Sequence, residues 1–309
     1  MRAPDFHHEA LLYGGPDGFV QGALNFLAPA LAAGCPAVVL TDPAKIDLLR
    51  SALGPDAAGV RYEDVTEVGR NPAWLLPLWS DVMDEHAGRE VWGIGEPVWP
   101  GRTPAELVEC RHHELLLNVA FAQRAGFRLL CPYDVAALPP EVIEAACASH
   151  PLVSRGDGES PSPTYTDVGD GSSLLGEALP PPPPAAVRIE LDADDLAAVR
   201  RHVEGIAGAV GLGGAAAKDL ALAVDEVATN SLRHAEGVDR LSAWLDGGAL
   251  VCEVRDAGWL TDPLVGRRCP EPTQVGGRGL WIANCLCDLV QVRSSPGGTV
   301  VRLHKRPGD

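Results

Sequence analysis

The sequence predicts two domains of different class: an α/β domain with a mainly parallel sheet in the first half, and a smaller domain of helices and paired strands in the last third. Three observations predict this. The chain has 309 residues, above the ~100–200 usual for one domain, so each half can bury a core of its own. Residues 9–150 alternate short β-rich runs with helical segments, the rhythm of parallel strands joined by helical crossovers. Residues 153–186 are dominated by Gly, Ser, Asp and Pro and close in five consecutive prolines, 180–184. That composition predicts a structureless linker ending in a stiff polyproline II spacer.

In chain order, strands are expected at 10–14, 37–41, 60–65, 91–98 and 127–132, with helices near 17–33, 43–53, 72–87, 103–124 and 140–149. Asp42-Pro43 and Thr103-Pro104 each place a capping side chain before a proline at the first helical position, a start signal. Beyond the linker, 187–191 alternates like a strand and helices follow over 192–210 and 215–235. Two antiparallel strands, 239–246 and 249–255, lead into a Gly- and Pro-rich loop, then a helix at 279–286 and strands at 288–295 and 299–304. The two halves share no internal repeat.

Composition excludes several classes of function. With 42 acidic against 25 basic residues the formal net charge is −17, which repels phosphate backbones and anionic membrane surfaces and sets direct nucleic-acid binding aside. Apolar residues make up 46% of the chain, yet no run approaches the ~20 residues needed to span a bilayer. The N-terminus lacks the apolar core of a signal peptide, so a soluble, cytoplasmic protein is expected. Eight scattered cysteines with no Cys-x-x-Cys pair read as buried thiols rather than a disulfide framework.

Four features of the C-terminal third, each weak alone, occur in a fixed order. The first is Asp225-Glu-Val-Ala-Thr-Asn-Ser-Leu-Arg-His-Ala235, where Glu226 and Asn230 share one helical face. An amide oxygen can ligate Mg²⁺ while a carboxylate one turn away takes a proton from an attacking hydroxyl. The second is Val254-Arg-Asp-Ala-Gly258, in which a buried carboxylate can accept from the exocyclic amine of adenine and a glycine lets the base approach. The third, Gly276-Gly-Arg-Gly-Leu-Trp-Ile, sets glycines before a helix whose free N–H groups suit phosphates. The fourth is Gly297-Gly-Thr-Val-Val, a hairpin turn whose Thr299 is a candidate polar contact.

This order resembles the N, G1 and G2 boxes of the GHKL ATPases, and within them the compact anti-sigma-factor serine/threonine kinases. The resemblance implies an α+β two-layer sandwich of the Bergerat type, a mixed sheet covered on one face by helices, binding ATP and Mg²⁺. Carried over residue by residue, it implies Glu226 as catalytic base and Asn230 as magnesium ligand. Asp256 and Gly258 would meet adenine, while Gly276, Gly277, Arg278, Gly279, Leu280 and Thr299 would complete the nucleotide site. One departure stands out: Leu260 occupies a position where the family commonly has a second glycine. No helical hairpin carrying a phosphoacceptor histidine precedes this domain, so a histidine kinase is not expected, and His234 reads as structural.

In the first half, His7-His-Glu9, Gly93-Ile-Gly-Glu-Pro97, Glu106-Leu-Val-Glu-Cys-Arg-His-His-Glu114 and Cys131-Pro-Tyr-Asp134 cluster polar groups near strand ends, where open α/β sheets bind ligands. Arg70 and Arg102 are candidate anion contacts. Together these segments resemble the MEDS sensory domain, which implies a sensory role and a RecA-like core. The candidate sensory site is His8, Glu9, Arg70, Glu96, His113, Glu114 and Tyr133. Metal binding by His8, His113 and Glu114 is a minor alternative to a buried polar network. Tyr13-Gly-Gly-Pro-Asp-Gly18 sits where a phosphate loop would lie but lacks Gly-Lys-Ser/Thr, which argues against a working P-loop.

The expected whole is a signal-responsive regulator with a sensory domain (residues 1–152), a linker (153–186) and an ATP-binding kinase-like domain (187–309). Its expected partners are a sigma factor or the protein that antagonises an anti-sigma factor, with a small-molecule signal at the first domain and a homodimer left open. The rival readings are an ATP-gated scaffold without catalysis, a sensor histidine kinase relative, or an enzyme built on the N-terminal His/Glu clusters.

Overall fold

Residues 8–13 read as a short apolar run carrying one His-Glu pair, and all six are buried, as expected of a strand covered on both faces of a parallel sheet. In the computed structural model, which describes residues 6–156, 158–189, 196–234, 238–270 and 277–307, the chain divides into two units, 1–169 and 170–309. The first runs β1 (His7–Tyr13), α1 (Gly15–Ala32), β2 (Ala37–Thr41), α2 (Pro43–Leu53), β3 (Val60–Asp64), α3 (Val65–Val68), α4 (Leu75–Glu85), β4 (Val91–Gly95), α5 (Pro104–Phe121), β5 (Phe127–Asp134), α6 (Pro140–Ser149), β6 (Leu152–Ser154) and β7 (Glu159–Pro161). Its sheet has the order β3-β2-β4-β5-β1-β6-β7, and only β7 runs antiparallel to its neighbour. The expected α/β class is what forms.

Both capping signals operate. Asp42 accepts from the Lys45 amide at 3.0 Å. Thr103 accepts from the Glu106 amide while the Glu106 carboxylate accepts from the Thr103 amide, a capping box that starts α5. Helix α5 packs ten buried residues, four of them charged or histidine beyond its first turn: Glu109, His112, His113 and Glu114. A helix this polar and this buried must satisfy its side chains internally.

The second unit runs α7 (Ser172–Leu175), β8 (Val187–Ile189), α8 (Leu196–Ala209), α9 (Gly214–His234), β9 (Val238–Asp246), β10 (Ala249–Asp256), α10 (Gly279–Leu286), β11 (Leu289–Ser295) and β12 (Gly298–Lys305). The sheet order is β11-β12-β10-β9-β8. Every pairing in it is antiparallel, where the family resemblance implied a mixed sheet. Its core takes Ala217, Leu220, Ala221, Val224 and Val227 from α9, the i, i+3, i+4 stripe of an amphipathic helix.

The stretch expected to be structureless departs from that expectation at both ends. Strand β6 joins β1 in parallel and β7 folds back on it, because a three-residue run pairs readily beside an existing strand without needing a periodicity of its own. Leu174 and Leu175 of α7 are buried, since burying two leucines outweighs the polar composition around them. All eight cysteines are free; four are buried, but Cys269 and Cys285 are exposed, unlike the buried thiols expected. No helix among the described residues is long and apolar enough to cross a membrane.

Candidate functional site

The register of the second sheet sets a row of polar residues side by side. Asp256 on β10 pairs with Thr299 on β12, and Thr299 pairs with Ser294 on β11. A shift in pairing between Arg255 and Asp256 against β9 is the kind of irregularity that re-aims a side chain at a strand end. From this row a chain of hydrogen bonds closes on itself. The Leu260 amide donates to Ser294 Oγ at 2.7 Å, Ser294 and Thr299 hydroxyls meet at 2.7 Å, Thr299 donates to the Gly258 carbonyl at 2.8 Å, and the Gly258 amide donates to Asp256 Oδ1 at 2.7 Å. From α9 above, the Ser231 hydroxyl reaches Asp256 Oδ2. The Asp256 carboxylate, 8% exposed, is thus held in one orientation from two sides.

Over this floor lies a cavity of about 370 Å³, lined by Val227, Asn230, Ser231, Asp256, Gly258, Trp259, Leu260, Val265, Gly277, Leu280, Thr299 and Val301. The size and the mix of aliphatic walls with few fixed polar groups suit an organic ligand. Six residues singled out in sequence therefore meet here: Asn230, Asp256, Gly258, Gly277, Leu280 and Thr299. Gly277 has a positive φ of 73°, a conformation that favours glycine. Gly279 opens α10, and a side chain there would collide with the Asn230 amide and approach the Glu226 carbonyl within 3.1 Å. Glycine is required for α9 and α10 to meet as they do.

Other expected members stand apart. Glu226 is half-buried on α9, one turn from Asn230, and does not line the cavity. Arg278, before α10, is exposed. Gly276 and the His234 side chain lie outside the described residues. Leu260 packs half-buried against the core and forms part of the cavity wall. Sequence reasoning missed Ser231 and Ser294. Only the adjacency of Ser231 to Asn230 hinted at the first, and the second acquires meaning solely from strand register.

In the first unit the candidate sensory residues do not form one site. Side chains alternate across a strand, so His8 and Glu9 face opposite sides of β1. Glu9 joins His7 and Ser154 on a cavity of about 450 Å³ walled by residues of α1 such as Gly22, Asn25 and Phe26. Glu96, after β4, takes hydrogen bonds from Thr41 and from Lys45, the latter at 2.5 Å; burial raises its carboxyl above the usual range. Arg70 is exposed. Arg102 spends its guanidinium on the carbonyls of Pro97, Arg70 and Gly69, bracing a loop rather than awaiting an anion. His113 sits one residue, about 100° of helix, from Glu114, and it is Glu114 that enters the cluster around His8.

That cluster is closed. His8, Glu114, Cys131, Tyr133 and His150 are each at most 2% exposed. His8 Nε2 lies 3.0 Å from Glu114 Oε2, and His8 Nδ1 lies 2.9 Å from Asn118 Oδ1. Tyr133 donates to Glu114 Oε1 at 2.9 Å. His150 Nε2 is 3.3 Å from Glu114 Oε2. Burial, with His150 nearby, depresses the His8 pKa from 6.5 to about 4. Burial alone would raise Glu114, but His150 and His8 hold its carboxyl well below the usual range. Burial and the Glu114 carboxylate push the Cys131 thiol and the Tyr133 phenol well up. His8, Glu114, Cys131 and His150 each offer a ligand atom, all within 4.8 Å of one another; His7, Glu9 and Glu159 form a second such group. Cys131 and His150 were not paired with His8 in sequence, because β1, β5 and the end of α6 converge only in the folded sheet.

Comparison with known proteins follows the same division. Residues 7–151 match the family model of the MEDS domain, the methanogen/methylotroph, DcmR sensory domain. Residues 189–305 match that of the histidine kinase-like ATPase domain. Among solved structures, the RsbU and RsbW domains of a Mycobacterium tuberculosis protein align at 20% identity and a TM-score of 0.30, over 41% of this chain and 34% of that one, so about a third of the relative is spanned. No curated protein matches.

Proposed function

The chain joins a MEDS domain to a histidine kinase-like ATPase domain, and from that premise we propose that it is a cytoplasmic, signal-responsive regulator of the anti-sigma-factor type. In this reading the second domain binds ATP with Mg²⁺ and phosphorylates Ser or Thr on a protein that antagonises it. One observation carries the reading: residues from four separated motifs line a single cavity of about 370 Å³ beside the first turn of α10. Asp256, fixed by Ser231 and the Gly258 amide, would accept from the adenine amine. Gly277 and the backbone amides at the start of α10 would hold phosphates, and Asn230 would supply an oxygen to the metal. Bound Mg²⁺ would neutralise phosphate charge. Glu226 would hold and deprotonate the attacking hydroxyl, its position one turn from Asn230 keeping base and metal ligand on one face.

A scaffold reading, in which ATP only shapes a partner surface, is favoured by one observation: Glu226 stands outside the cavity lining. The test separates the two. Glu226→Ala is expected to lower phosphate transfer to the cognate protein by ~10²-fold or more while calorimetric ATP affinity stays near wild type. Equal phosphate release by both proteins would leave the scaffold standing.

A further inference from the structure

We propose that His8, Glu114, Cys131 and His150 bind one divalent transition-metal ion, zinc by the nature of the donors, inside the first domain. The argument rests on where the hydrogen-bond donors are already spent. Asn118 Nδ2 donates to the Ser149 carbonyl at 2.8 Å, so its Oδ1 is the atom facing His8. An oxygen there demands that His8 Nδ1 carry the proton. His8 Nε2 in the neutral ring is then a lone pair, yet it lies 3.0 Å from Glu114 Oε2, an acceptor facing an acceptor. His150 repeats the pattern. Its Nδ1 lies 2.8 Å from the Ala146 carbonyl, which assigns the proton to Nδ1, and its Nε2 is wholly buried with no hydrogen-bond partner. The second Glu114 oxygen is taken by Tyr133, which turns Oε2 inward. Three lone pairs converge in a closed space, and the donor that faces them is the weak Cys131 S–H, 3.5 Å from Oε2.

A single proton shared between Glu114 Oε2 and one imidazole satisfies that contact and leaves the other imidazole lone pair facing an acceptor. A metal ion relieves all of them at once. Four of the six ligand-atom separations, Nε2(His8)–Oε2(Glu114) of 3.0 Å, Nε2(His150)–Oε2 of 3.3 Å, and Sγ(Cys131) to both His8 Nε2 and Glu114 Oε2 of 3.5 Å, lie within or just below the roughly 3.3–3.8 Å edges of a tetrahedron with zinc–ligand bonds of about 2.0–2.3 Å, and all six are under 4.8 Å. Two imidazoles, a carboxylate and a thiolate are a donor set for zinc rather than for Mg²⁺ or Ca²⁺. The buried charge closes too: two positive charges meet one carboxylate and one thiolate, with the histidines neutral. On binding, the Cys131 S–H bond breaks, its proton leaves to solvent and a sulfur–metal bond forms, with no change of oxidation state. Each nitrogen and carboxylate ligand has an outer partner that orients it, Asn118, Ala146 and Tyr133, the arrangement that tunes metal sites.

The test uses the full chain without a metal-binding tag. Elemental analysis after dialysis is expected to find one equivalent of zinc, and replacement by Co²⁺ to give intense tetrahedral d–d absorption with a thiolate-to-cobalt charge-transfer band. Cys131→Ser should abolish that band, and this distinguishes the site from the exposed Cys269 and Cys285. Tyr133→Phe keeps all four ligands and should weaken affinity by about 10–100-fold, so it decides the matter if the cysteine variant does not fold. Failure of wild-type protein to hold zinc or to give the cobalt spectrum overturns the proposal, as does an unchanged band in Cys131→Ser or unchanged affinity in Tyr133→Phe.

Discussion

Two polar clusters of this chain, one around His8 and one around Asp256, are built on opposite plans. Around His8 and Glu114, ring nitrogens, a carboxylate and a thiol converge within a closed interior. Around Asp256, the polar atoms are tied into the floor of an open cavity whose walls are aliphatic. Convergent donor atoms sealed inside a core suit an ion, whereas a few fixed polar groups at the edge of an apolar hollow select a ligand. The difference teaches that density of ionisable residues, which made the first half so conspicuous in sequence, marks the better-sealed site rather than the one open to organic molecules.

Four measurements can break that comparison or sharpen it. The largest effect is expected from Glu114→Ala. It removes the hub that Tyr133, His8 and His150 surround and should destabilise the first domain by about 3–5 kcal/mol, read by denaturant unfolding, while ATP binding by the second is retained. Loss of ATP binding as well would show the two clusters to be parts of one cooperative unit.

Acid should act on the same cluster. The His8 pKa falls from 6.5 to about 4 on folding, so the unfolded chain takes up the proton first as pH drops. Stability is then full above about pH 6.5 and declines between 6.5 and 4, by roughly 3 kcal/mol from this group. Glu114, also depressed on folding, extends the loss below the ordinary carboxylate range, and displacement of a bound metal by protons has the same sign. Thermal melts followed across that window check it; a flat profile would mean that His8 titrates freely.

On the open side, Asp256→Asn preserves volume but gives up the charged acceptor, and ATP affinity should fall about 10–100-fold. Calorimetry that found wild-type affinity would remove Asp256 from adenine recognition. The smallest effect is reserved for Leu260→Ala. Its side chain is half-buried wall, not floor, so ATP affinity should shift by less than about 10-fold and stability by about 1–2 kcal/mol. Abolished binding would instead make Leu260 the surface on which the base rests.

What the sequence disclosed follows the range of the forces involved. Local signals were legible: α6 spans 140–149 as expected, and the caps at Asp42 and Thr103 start their helices. The ordered boxes of the second domain were legible because each is a short motif, two of them on or before helices α9 and α10 and two at the ends of the neighbouring strands β10 and β12. Convergence over long separations was not. His8 and Glu114 are 106 residues apart, Cys131 comes from β5 and His150 from the end of α6, and no spacing rule links them. Strand alternation could have separated His8 from Glu9 in advance, since adjacent strand residues face opposite ways. The strands β6 and β7 were hidden by brevity: three residues carry no period.

The missing side chain at Gly279 has a consequence of its own. Because the Asn230 amide rests where a Cβ would be, the first turn of α10 and the C-terminal part of α9 are keyed together like a tongue in a slot. A phosphate seated on the amides that open α10 would press on the residue expected to hold the metal. Occupancy at one end of the cavity would then be felt at the other through direct contact, without any lever arm in between.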